Sequence, residues 1–207
     1  MSDPEPQTKD VLRSAVGQTC QRLQSQYFSA PGSRSHASAR ATLAELRRNA
    51  TLDVDNNPLG LSKALFAMDG AFAERLGGTK DELTPSERAA FVALTLFAIH
   101  MQSATEPVFK QGISFASACG QLHAKSASGS IKPRIDAMLL ASSEKARLVH
   151  IRSIVMLLRD RQIGFDYGLL ARDLRALSNP RLRAGVQLRW GRDFANSFFK
   201  SAESEAK

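Results

Sequence analysis

The sequence predicts an all-α fold, on three observations. Apolar residues along the chain recur at a spacing near 3.6, the period of a helix with one face inward. No stretch alternates polar and apolar residues cleanly enough to form a strand. Helix-start signals are also explicit: Thr84-Pro85-Ser86-Glu87 offers an N-cap, a first-turn proline and a capping-box glutamate in register.

Taken in order, the first helix is expected over about 8–28, with Leu12, Val16, Leu23 and Tyr27 as its inward stripe. Ala30-Pro31-Gly32-Ser33 breaks it. A second helix, about 35–49, turns Leu43 and Leu46 inward. It carries Arg40 and Arg47 on one side, with Arg48 beside them. Asp53 to Pro58 reads as a turn, and Leu59 to Leu76 as short helical pieces interrupted by glycines. The helix opened by Thr84 extends to about Gln102 and is apolar on nearly all sides, so Phe91, Leu94, Phe97 and Ala98 mark a central buried helix. Ser114 opens a short helix to about Lys125.

Ser126-Ala127-Ser128-Gly129-Ser130 reads as a flexible linker. It divides the chain into an N-terminal helical domain, 1–125, and a C-terminal basic helical bundle, 131–207. Four helices are expected after it, over about 133–141, 143–162, 166–177 and 179–200. Asp166 caps the third, and Asn179-Pro180 starts the fourth. Leu182, Val186, Trp190, Phe194 and Phe198 form the expected inward stripe of the last.

Charge is the most informative feature for function. The net charge of +8 lies entirely in residues 131–200, which hold fourteen Lys and Arg against six Asp and Glu. A one-sided basic surface on a helical protein suits a polyanion. Lys145, Arg152 and Arg159 recur every seven residues, which places them on one helix face about 10 Å apart. Ile151, Ile154, Val155 and Leu158 centre on a different face. Arg161, Arg181, Arg183 and Arg189 extend this surface if the neighbouring helices pack antiparallel. Arginine outnumbers lysine eleven to three in 131–200, and its planar fork suits bidentate phosphate contact. The aromatics fall mostly in apolar stripes, so no base-stacking platform is visible. The pattern predicts sequence-tolerant binding along a nucleic-acid backbone.

Several classes are disfavoured. Cys20 and Cys119 are isolated thiols in helical patterns and read as core residues. His36, His100, His123 and His150 show no metal-ligand spacing, and His100 reads as a core or boundary residue. Gly77-Gly78-Thr79-Lys80 lacks the lysine placement and preceding strand of a phosphate loop. Asp53 and Asp55 sit in a turn where a structural role suffices. Neither catalysis nor a cofactor is expected. The acidic N-terminus is unlike a secretory signal, and the longest apolar run, Ala89 to Ile99, is about half a membrane span. The expected compartment is the cytoplasm, with no membrane partner.

Three segments, in this order, resemble a known family. Glu82-Leu83-Thr84-Pro85-Ser86-Glu87-Arg88-Ala89-Ala90 leads into Ala93-Leu94-Thr95-Leu96-Phe97-Ala98-Ile99-His100; Gly112-Ile113-Ser114-Phe115 follows. A C-terminal block then runs through Leu148 to Arg159, Asp166 to Leu174 and Leu188-Arg189-Trp190-Gly191-Arg192-Asp193-Phe194. Across residues 8–199 the chain resembles the CasB family, the small subunit of the type I-E CRISPR Cascade surveillance complex. The resemblance implies an all-α protein of two small helical bundles joined by a short linker. It implies a non-catalytic role in antiviral defence: two copies in the complex, beside crRNA, target DNA and the other Cascade subunits, holding the opened target DNA (the R-loop) through backbone contacts. The Leu46-Arg47-Arg48 segment and Arg152 look like recurrent basic positions of the family, followed by Arg40, Arg134, Arg159, Arg181 and Arg183. Where the family pattern can carry an arginine, this chain has Ser117, so that contact is expected to be either absent or replaced by one from Lys125. The competing expectation is a helical scaffold whose basic face meets acidic protein partners. A free-standing regulator would need a helix-turn-helix, and none is convincing.

Overall fold

The structure is a computed structural model that describes residues 10–50, 54–76, 78, 82–126 and 131–205. Asp53, Gly77, Thr79, Lys80 and linker residues 127–130 lie outside the described residues. Among the described residues there are ten α-helices, with a single 3-10 turn at Val54–Asn56. They are α1 (Val11–Tyr27), α2 (Arg34–Arg48), α3 (Pro58–Ala67), α4 (Gly70–Leu76), α5 (Pro85–His100), α6 (Phe115–Ala124), α7 (Ile131–Leu140), α8 (Glu144–Asp160), α9 (Tyr167–Ser178) and α10 (Pro180–Glu205). The all-α expectation holds; an isolated parallel bridge, Phe109 to Phe165, is the extent of strand-like pairing among the described residues.

The expected capping chemistry is present. Thr84 Oγ1 accepts from Glu87 N at 3.1 Å, and Glu87 Oε2 accepts from Thr84 N at 2.8 Å, closing the capping box on α5. Asp166 caps α9 by accepting from Leu169 N at 3.0 Å. Asn179 Oδ1 accepts from Arg181 N at 3.0 Å where α10 begins. Such caps satisfy amide groups that have no intrahelical partner and contribute about 1 kcal/mol each.

Helix α5 is the centre of the molecule. From Ala89 to His100 only Val92 escapes full burial, and α1, α2, α3, α8 and α9 all pack against the helix. The cap at Thr84 and the run of small and large apolar side chains explain why this segment can be helical and wholly enclosed. Cys20 and Cys119 are buried and unpaired, and burial pushes both thiols above their ordinary pKa. His100 is also fully buried, its Nδ1 2.8 Å from the Tyr167 hydroxyl.

Two glycines permit close helix contacts. At Gly120 of α6, a Cβ would lie 2.4 Å from the Phe194 carbonyl oxygen of α10. At Gly168 of α9, a Cβ would lie 2.3 Å from the Arg13 carbonyl oxygen of α1. These contacts tie N-terminal helices to C-terminal ones, and one hydrophobic cluster runs from Leu12 to Trp190. The division expected between 125 and 131 therefore does not divide the packing: α6 lies along α10, and α1 and α5 lie along α9. The stripe expected for α10 also needs correction at its start. Val186 and Trp190 are buried, but Leu182 is exposed, because the first turn of α10 precedes its contact with α6.

A buried glutamine holds the long connection between α5 and α6. Gln24 Oε1 on α1 accepts from Val108 N at 2.8 Å and Phe109 N at 2.7 Å, and its Nε2 donates to Phe109 O at 3.3 Å. Phe165 N donates to Val108 O at 2.9 Å, and Lys110 N donates to Phe165 O at 3.1 Å, joining this connection to the one before α9.

Two outcomes follow from this packing. Gly120→Ala is expected to destabilise the protein by about 1–3 kcal/mol in chemical denaturation, because a backbone clash outweighs the ~1 kcal/mol gain in helix propensity. The second concerns His100, whose pKa is held down to about 3, first by burial and then by the charge of Arg159. Between about 6.5 and 3 the unfolded chain binds a proton at His100 that the folded chain refuses. Stability therefore falls as pH falls through that window, and denaturation curves of His100→Gln should show a shallower pH dependence there.

Candidate nucleic-acid interface

Ser143 caps α8, its Oγ accepting from Ala146 N at 3.1 Å. Ile151, Ile154, Val155 and Leu158 are buried, as the sequence requires, so the helix sits on the core by that face. The opposite side carries Lys145, Val149, Arg152, Met156 and Arg159, at alternating steps of four and three residues. These five positions lie within roughly 40° of one line along the helix. Val149 is 56% exposed and Met156 43%, so cations alternate with uncovered apolar side chains. Lys145, Arg152 and Arg159 thus share the expected line, while Val149 and Met156 are additions that the four-three spacing would have disclosed.

A single hydrogen bond links this line to α2. Arg152 Nη2 donates to the carbonyl oxygen of Ala50, two residues beyond Arg48. The bond fastens α8 to the chain just beyond the end of α2, despite about a hundred intervening residues. Arg152 Nε is buried without a hydrogen-bond partner, and burial lowers the guanidinium pKa. An arginine nevertheless remains cationic. Arg47 Nη1 donates to Ala98 O of α5 at 3.5 Å, and Arg48 Nε donates within its own helix to Ala44 O at 3.4 Å. Both sit in the last turn of α2, where the helix dipole favours positive charge. Arg40 is exposed and shares a shallow depression with Arg47, Tyr27 and Gln102. Arg134 of α7 donates to Ser153 Oγ at 2.9 Å, directly beside Arg152.

Other expected cations lie elsewhere. Arg161 is exposed at the C-terminal cap of α8, and Arg181 is exposed in the first turn of α10. Arg183 Nε donates to Leu177 O at 3.1 Å, and its charge lies near Arg147 rather than Arg152. Arg147 and Arg152 point about 140° apart around α8, so Arg183 belongs to a different side. Lys125 is exposed at the end of α6. It stands about 12 Å along that helix from Ser117, whose Oγ instead joins the Ser114 cap at 3.0 Å.

Several basic residues are engaged in internal ties. Arg172 and Arg189 both donate to Asp173 Oδ1, at 2.8 and 2.6 Å, and Trp190 Nε1 donates to Asp173 Oδ2 at 2.6 Å. Arg189 therefore helps neutralise a buried carboxylate while its own side chain stays partly exposed. Arg175 pairs with Asp10 at 2.8 Å, Arg159 with Asp160 at 2.8 Å, and Arg147 is buried with Nη2 on Ala141 O at 2.6 Å. Asp173 gave no signal in the sequence, because its two arginine partners sit one and sixteen residues away on different helices.

Between α5, α8 and the segment after α2 lies a groove of about 360 Å³. Phe91, Val92, Leu96, Leu148 and Val149 give it an apolar lining, and Asp55, Glu144, Lys145 and Arg152 supply charged groups. Asp55 is paired with Arg88, which also lines the groove. Among the described residues no group of three or more His, Cys, Asp or Glu is placed to hold a metal ion. No described helix is long and apolar enough to cross a membrane.

The fold is similar to those of known proteins. The crystal structure of CasB from Thermobifida fusca superposes with a TM-score of 0.71 and 29% identity, covering 89% of this chain and 97% of that one. A chain from a CRISPR RNA-guided surveillance complex shares the fold, with a TM-score of 0.59 and 20% identity, over 95% of this chain and 99% of that one. No curated protein sequence matches the chain. Residues 42–194, which span α5, α8 and most of the basic stripe, match the family described as CRISPR-associated protein Cse2, and the chain belongs to that family.

Proposed function

We propose that this protein is a non-catalytic small subunit of a CRISPR RNA-guided surveillance complex, a Cascade of type I-E. In that role its basic face holds nucleic-acid backbone without reading sequence and stabilises the opened target DNA. The observation that carries the reading is the Arg152–Ala50 hydrogen bond, which fastens α8, with Lys145 and Arg152, to the chain just beyond Arg47 and Arg48 at the end of α2. Membership of the Cse2 family and the fold shared with a chain of a surveillance complex support it. In an RNA-guided complex base pairing reads sequence, so a protein subunit need supply only backbone contacts. Arg40, Arg134 and Arg159 extend the same face; Lys125, Arg161, Arg181 and Arg183 would meet the strands elsewhere or face other subunits. The partners are crRNA and target DNA, the other Cascade subunits and a second copy of this chain.

A scaffold role is the second reading, in which the basic face meets acidic protein surfaces. It is favoured by the uncovered apolar side chains of α3, where Leu59 is 76% exposed and Phe66 86% exposed on one helix side. Exposed apolar side chains of this size fit a protein partner better than a sugar-phosphate chain.

Binding of the isolated chain to single-stranded DNA is expected to weaken steeply with salt, the logarithmic slope shrinking by about 0.7 for each phosphate contact removed. Arg48→Ala is the cleanest probe, because Arg48 is exposed and its side chain bonds within α2. Electrophoretic or anisotropy titration should show weaker binding and a smaller slope with unchanged thermal stability, whereas Arg152→Ala should lose stability as well. In reconstituted complexes, Arg47→Glu with Arg48→Glu should permit assembly but impair strand opening, read by footprinting of the displaced strand. Failed assembly would instead favour the scaffold role.

A further inference from the structure

The apolar groove beside the basic stripe is larger than backbone contact alone requires. Its volume, about 360 Å³, is at the low end of small-ligand clefts, which span ~300–1,000 Å³. That suits one flat heterocycle and is too small for a docked helix. The lining from Phe91, Leu96, Leu148 and Val149 rewards burial of an uncharged ring face. Glu144 at the same groove disfavours a phosphate there, while Asp55 is paired with Arg88, which also lines it. Lys145 and Arg152 also line it and belong to the stripe that would carry the backbone outside. The apolar lining is thus flanked by charged groups of both signs, with Lys145 and Arg152 continuous with the exposed stripe.

We propose that this groove accepts one unstacked nucleobase of a single strand whose neighbouring phosphates lie along Lys145, Arg152 and Arg48. The inference rests on the backbone-binding role above and adds a base subsite to it. Val149, more than half exposed at this groove, is the side chain the entering ring would cover. Glu144, exposed in the first turn of α8, is placed to accept from a base amino group. A base held this way anchors the strand's position without specifying a sequence, because every base presents an apolar face.

The test compares the full chain's affinity for a short mixed-sequence single-stranded DNA with its affinity for an abasic strand of equal phosphate number, at matched salt. The abasic strand should bind about fivefold or more weakly with the same salt slope. Val149→Met, which extends an uncharged side chain into the groove, should lower affinity for the base-bearing strand toward the abasic value and leave abasic binding unchanged. Equal affinities for the two strands, with salt sensitivity retained, would overturn the base subsite alone and leave the groove to a protein side chain of a neighbouring subunit. A base-dependent difference that Val149→Met leaves untouched would place the base contact elsewhere and equally overturn it. Failure to bind either strand, or binding indifferent to salt, would sink the backbone role itself.

Discussion

Enclosure of α5 is the constraint on which the rest of the molecule depends. A helix that is apolar on all sides must be covered on all sides, and five other helices do so. Each covering helix can bury only one stripe, so its remaining residues must face outward. For α8 the buried stripe is Ile151, Ile154, Val155 and Leu158, which leaves Lys145, Val149 and Met156 exposed and Arg152 and Arg159 partly so. For α2 it is Ala39, Leu43 and Leu46, which leaves Arg40 and Arg48 exposed and Arg47 partly so. The basic face is thus a by-product of how the core is closed, and it comes from helices far apart in sequence.

Much of this was legible from residue spacing. The capping box at Thr84, the breaks at Pro31 and Pro58 and the apolar stripes of α1, α2 and α8 depend on neighbours within one or two turns, so local sequence carries them. Contacts across the fold were not legible. Net charge counts cations but not their partners, so the tie of Arg189 to Asp173 could not be read from it. The Ser/Gly stretch after α6 suggested separate units, because flexibility is written locally while the fit of Gly120 against α10 is not. Leu182 followed the period of α10 but preceded that helix's packing partner.

Of the candidate site, the heptad of Lys145, Arg152 and Arg159 was readable, as was the placement of Arg47 and Arg48 at a helix end. Their union was not, since it turns on the bond from Arg152 to a main-chain oxygen. A main-chain acceptor has no residue signature. Distance along the chain gives no hint of it either.

The Gln24 clamp has a consequence for how such a subunit tolerates its surroundings. It is a neutral amide, buried at 5% exposure, and it fastens the α5–α6 connection through three uncharged hydrogen bonds. Counterions screen exposed charges but leave bonds of this kind almost untouched. Ionic conditions that detach a polyanion from the outer face therefore leave this internal fastening in place. On the proposed role, grip and framework would answer to different variables, and a bound strand would leave without loosening the protein.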